Sequence, residues 1–169
     1  MEPLRARVLT DGLIAGGIGY VVIALFYGVL DLIQGDSPFH VAAVLGSALF
    51  YAAEDVQGAA MAGPVLAFNG VHLVLFLLLG VGVAWFVAEA ERYPLFWYPV
   101  FFFLVTGFIL TYLAVLVVAS EIVGLLSWWS VAVANLLAAL AMGGYLWWAH
   151  PRLRAGIREY TEEERPDAP

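Results

Sequence analysis

Cysteine and lysine are both missing from this chain of 169 residues, and only 12% of its residues are charged. Without cysteine there is no disulfide, no thiolate metal site and no cysteine nucleophile. Without lysine the seven basic residues are all arginines, too scattered to form the basic stripe of a nucleic-acid-binding surface, and the net charge is -7. A soluble domain carries about 25% charged residues. The low charge therefore excludes an ordinary cytosolic enzyme, and 63% hydrophobic residues exclude a disordered chain. A mean hydropathy of +0.91 puts the chain in lipid.

Four stretches reach the roughly 20 mostly apolar residues needed to cross a bilayer: Gly12 to Ile33, Pro64 to Ala88, Pro94 to Ser120 and Ile122 to Ala149. Asp31 interrupts the first, and the other three contain no charged residue. Only Glu121 separates the last two, which predicts a tight helical hairpin. The first stretch exceeds the apolar core of about 7–15 residues in a signal peptide and is not followed by a cleavage site, so it reads as a retained anchor. The expected fold is an all-α membrane protein, a four-transmembrane-helix bundle forming one integral membrane domain over residues 1–169. Residues 150–169 form a short cytoplasmic tail whose Glu162-Glu163-Glu164 run is acidic.

A fifth apolar stretch, His40 to Ala53, has the length of an interfacial or re-entrant segment. Charge sets the count. With four spans, Arg5 and Arg7, Arg92, and Arg152, Arg154, Arg158 and Arg165 all lie on one side. The positive-inside rule makes that side cytoplasmic, with both termini inside and Gln34 to Gly63 outside. A fifth crossing would turn Arg5 and Arg7 away from the rest. The aromatics agree: Tyr93, Trp97, Tyr98, Trp147 and Trp148 fall at the inner interface and Trp128 and Trp129 at the outer one, the levels amphipathic rings favour.

Within the outer loop, Ser37-Pro38 is a good helix start and Gly58 a good stop. At 100° per residue, His40, Ser47, Tyr51 and Glu54 share one face, and Val41, Leu45, Ala48, Leu49 and Ala52 the other. The spacing predicts a short amphipathic helix between helices 1 and 2. Its polar face has no arginine to meet anionic lipid, so packing on the protein's own spans is favoured over independent membrane binding.

Asn69 and His72, three apart on the second span, share a helix face. In the four-span topology His72 lies in the outer half, toward Asp31, His40, Glu54, Asp55 and Glu121. Imidazole and carboxylate suit a metal such as zinc, so His72, His40, Asp31 and Glu54 form a candidate metal site. The alternative is structural, with His72 hydrogen-bonding across helices to Asn69 or Asn135. A di-haem core is disfavoured because His150 belongs to the opposite end. No zinc-protease spacing, phosphate-cradling glycine loop, arginine ladder or pair of broken helices is present. Small residues recur four apart at Gly12 and Gly16, and at Gly80, Ala84 and Ala88. They recur similarly through Ala134 and Ala138, and Ala139 and Gly143. This spacing lets helix backbones approach and marks Gly80, Ala84, Ala138 and Gly143 as candidate packing positions.

The stretches Leu45-Gly-Ser-Ala-Leu-Phe50, Val71-His72, Trp128-Trp129-Ser-Val-Ala-Val-Ala-Asn135 and Gly144-Tyr-Leu-Trp147 resemble uncharacterised small four-span bacterial membrane proteins. The resemblance extends over nearly all the chain beyond the N-terminal tail. It implies a bacterial inner-membrane location and supplies no activity or functional residue. Three function classes follow. The favoured one is a non-enzymatic accessory or structural subunit, without a cofactor, that packs against a larger membrane complex or against itself. The second is a small metal- or haem-binding membrane protein using His72. The third is an oligomeric transporter or channel.

Overall fold

The computed structural model describes residues 4–51, 62–91, 127–151 and 155. Among them there is helix and no strand. Helix α1 spans Leu4–Gln34, α2 His40–Gly46, α3 Ala62–Ala90 and α4 Trp128–Ala149; a π-helical turn, Ser47–Tyr51, continues α2. Three of these helices are long and apolar enough to cross a membrane: α1, α3 and α4. The expected third span, Pro94 to Ser120, lies outside the described residues, as do Glu54, Glu121 and the acidic tail.

The ends of the helices follow local chemistry. Gly35, at φ +86°, ends α1: its N–H donates to Leu32 O at 3.2 Å and that of Asp36 to Asp31 O at 2.9 Å. This paired return of N–H groups to the last turn needs a left-handed residue, which glycine adopts without a Cβ clash. Pro64 sits in the first turn of α3, where a missing N–H costs no helix bond. Helix α4 begins later than the Ile122 expected from hydropathy. Ser127 is extended (φ -65°, ψ 126°), and its carbonyl accepts from both the N–H and the Oγ of Ser130. The extended backbone of Ser127 and the bonds that start the helix there have no hydropathy signature.

Helix α1 is the axis of the fold. Gly12 faces Val81, Gly16 faces Leu77 and Tyr20 faces Asn69, so α3 runs antiparallel to α1. Arg7 meets Ala149, Asp11 meets Tyr145 and Gly19 meets Met142, so α4 is antiparallel to α1 as well and parallel to α3. The α1–α3 seam is backbone against backbone. A Cβ on Gly80 would overlap Gly12 O and the Gly16 backbone, and one on Gly16 would overlap Phe76 O. Small residues with four-residue spacing allow this approach, and with it dispersion and weak backbone contacts that lipid cannot supply. Ala84 is fully buried beside the seam, and Ala138 is buried on α4 with Ala134, Met142 and Leu146. Gly143 is exposed, with open space where a Cβ would stand.

The outward surface is apolar. Leu25, Leu66, Leu78, Leu140 and Trp148 are all exposed. Large apolar groups outside and small ones inside invert the pattern of a water-soluble bundle, as expected where the solvent is lipid.

Helix α2 packs on α3 through Ala43, Gly46 and Ser47, which are buried; a Cβ on Gly46 would overlap the Pro64 carbonyl. Ser47 was expected on the polar face and Ala48 and Leu49 on the packed one, but Ser47 is buried and Ala48 and Leu49 are exposed. Ala43, Gly46 and Ser47 stand at i, i+3 and i+4, one face of a regular helix. Apolarity alone favours the Val41 and Leu45 face, whereas close approach to the Pro64 backbone selects the face with the smallest side chains.

Candidate functional site

Apart from Asp31 near the C-terminal end of α1, polar side chains gather at two levels of α1. The first is midway. Tyr20 donates to Asn69 Oδ1 at 3.0 Å, and Asn69 Nδ2 donates back to Val65 O at 2.9 Å. His72 lies one turn further along α3, stacked on Phe68 (ring centroids 5.2 Å) and near Tyr20 and Phe76. Its Nε2 is buried and has no hydrogen-bond partner. Neither asparagine offered in the sequence serves it, because Asn135 donates to Val131 O on its own helix.

Of the candidate metal residues, Glu54 lies outside the described residues, and Asp31 and His40 stand apart from His72. Asp31 lies eleven residues beyond Tyr20 on α1, about 16 Å along the axis at ~1.5 Å per residue. It is buried, and its Oδ2 accepts from the N–H of Val41 at 3.2 Å, which ties the end of α1 to the first turn of α2 and brings it beside His40. The structure thus joins Asp31 to His40 and keeps His72 apart from both. Among the described residues, no three histidine or carboxylate side chains are grouped to hold a metal ion.

The second level, at the N-terminal end of α1, is where the most ionisable groups meet, and sequence reasoning missed it. Pro151 disfavours helical backbone at the residue before it, so His150 leaves α4 at φ -116°, ψ 76°, with its N–H still donating to Leu146 O. From this cap position its ring turns back into the bundle and is 2% exposed. Nδ1 is 3.1 Å from Glu91 Oε1, at the end of α3. Nε2 is 3.4 Å from Asp11 Oδ2 on α1. The Asp11 carboxylate accepts from Tyr145 Oη at 3.3 Å through Oδ1, and Arg7 Nε lies 3.5 Å from Oδ2. Arg7 also donates to Ala149 O at 2.9 Å, satisfying one of the free carbonyls at the C-terminus of α4, where a cation is favoured.

One imidazole therefore has a carboxylate on each nitrogen, and the five side chains come from all three long helices. Asp11 Oδ2 and His150 Nε2 are both buried, and neither makes a hydrogen bond although they face each other. Such a cluster can hold a positive charge and can fasten three helix ends together. A signal for it does exist in the sequence. In a four-span chain, Asp11, Glu91 and His150 border spans 1, 2 and 4 on the same side, each just outside its apolar run.

No protein-family model matches the chain, and neither a curated protein nor a solved structure is detectably similar to it.

Proposed function

We propose that this chain is a four-span protein of the bacterial inner membrane, both termini cytoplasmic, acting as a non-enzymatic accessory or structural subunit packed against a larger membrane complex. One observation carries the reading: Tyr20, Tyr145, Glu91 and His150 use their polar atoms to join one helix to another, while the outward faces present leucine and tryptophan. These side chains hold a compact apolar element together, which is what an accessory subunit requires. Extraction in mild detergent followed by affinity purification tests it. A membrane protein co-purifying in fixed ratio is expected, and a monodisperse chain free of any partner would overturn the reading.

The four-span count draws support from helix direction. Helix α3 ends, and α4 also ends, at the Arg7 side, so the chain must return to the far side before α4 begins. Pro94 to Ser120 has the length and apolarity for that return. Single cysteines replacing Ser37 and Thr161 should then label from opposite sides of the membrane, and labelling from one side would refute the topology.

A second reading, a metal or haem bound at His72, is favoured by its unpartnered Nε2. It predicts bound metal or a haem absorbance band in the purified protein, lost in a folded His72→Gln variant. Neither signal in the wild-type protein would remove it.

A further inference from the structure

We propose that the His150 end of the bundle is a proton-binding site, in which one proton held by His150 between Asp11 and Glu91 locks α4 to α1 and α3. A neutral imidazole has one N–H and one lone pair. With the N–H directed at Glu91, 3.1 Å from Nδ1, the lone pair of Nε2 faces Asp11 Oδ2 at 3.4 Å. Two buried acceptors would then oppose each other without a donor, which is costly away from water. A proton on Nε2 turns that opposition into a charge-assisted contact.

The charge count agrees. Among the described residues, the groups facing the ring are Asp11 of α1, with Arg7 behind it, Glu91 at the end of α3, and Tyr145 on α4 against Asp11. With both carboxylates ionised, Arg7 cancels one negative charge and a protonated His150 cancels the other. These described groups are then neutral together around an imidazole that is 2% exposed, the condition under which buried ions persist. Loss of the proton leaves these described groups with a net negative charge and loosens the three helix ends. The site is independent of whether the chain has a protein partner.

Ring ¹⁵N spectra of the full chain, labelled at histidine and held in detergent, test the proposal, with His150 identified by elimination in His40→Gln and His72→Gln. At about pH 7, both ring nitrogens of His150 should carry a proton. Thermal melting is the second readout. The folded state keeps a proton that the unfolded chain releases, so stability falls as pH rises. The melting temperature should drop by at most roughly 3–5 °C per pH unit above neutrality. That slope should vanish in His150→Gln, and if this variant does not fold, the wild-type spectra decide. A His150 ring protonated on one nitrogen alone at about pH 7 would overturn the proposal. So would a His150 signal that moves on adding zinc, which would put a metal rather than a proton between Nε2 and Asp11.

Discussion

His72 and His150 both lie against α1, at levels about 14 Å apart along its axis, and they are held in opposite ways. His72 sits among Phe68, Phe76 and Tyr20 with a buried nitrogen unpartnered, so its ring is placed by shape. His150 has a carboxylate on each nitrogen and is placed by charge. The first environment belongs largely to one helix, since Phe68, His72 and Phe76 follow the i, i+4 rule on α3. The second is assembled from three segments far apart in the chain. An ionisable group within an apolar run draws attention, yet here the denser chemistry lies just beyond the ends of the runs, where charges are less costly to bury.

Both regions depend on the α1–α3 seam, so the largest effect comes from breaking it. Gly80→Leu would drive a side chain into the Gly12 and Gly16 backbone, beyond the usual overpacking cost of about 1–3 kcal/mol. Little folded monomer should survive size-exclusion chromatography in detergent, and a variant melting like wild type would show that the seam is not tight.

Next is His150→Ala, which leaves Asp11 and Glu91 facing a void. Removing one partner of a buried ionic group costs about 3–5 kcal/mol. Because the two carboxylate side chains keep 15% and 13% exposure, about 2–3 kcal/mol is expected after screening. Denaturant or thermal titration measures it, and a loss below that of a His72 substitution would reverse the comparison.

Tyr20→Phe sharpens the midway region. It removes the hydrogen bond to Asn69 and should cost about 1 kcal/mol, read as a small drop in melting temperature. No change would mean that Asn69 finds another donor. Gly143→Ala is the smallest effect. Open space surrounds the site of the new Cβ, so helix propensity alone acts and favours alanine by up to about 1 kcal/mol. Destabilisation would show that this face is packed after all.

Much of the architecture was legible in the sequence. Runs of apolar residues mark α1, α3 and α4 because the cost of an unsatisfied backbone group in lipid forces helix, and the small-residue spacing at Gly12, Gly16 and Gly80 is visible as a pattern. Asn69 and His72 were found because neighbours on one helix are a matter of counting. Which face of α2 packs was not legible, since the small face of Ala43, Gly46 and Ser47 is selected by close approach to the Pro64 backbone and not by apolarity.

By itself the sequence determined that the chain has helices apolar enough to cross a membrane, and at which ends of its apolar runs the arginines fall, because hydrophobicity and charge are properties of single residues. Only the tertiary structure decided which polar residues meet. Asp11, Glu91 and His150 are brought together because close glycine packing sets how α1 and α3 approach, and because the break before Pro151 turns the imidazole inward. Rotation of a helix about its axis depends on its neighbours, and no count along one chain segment contains it.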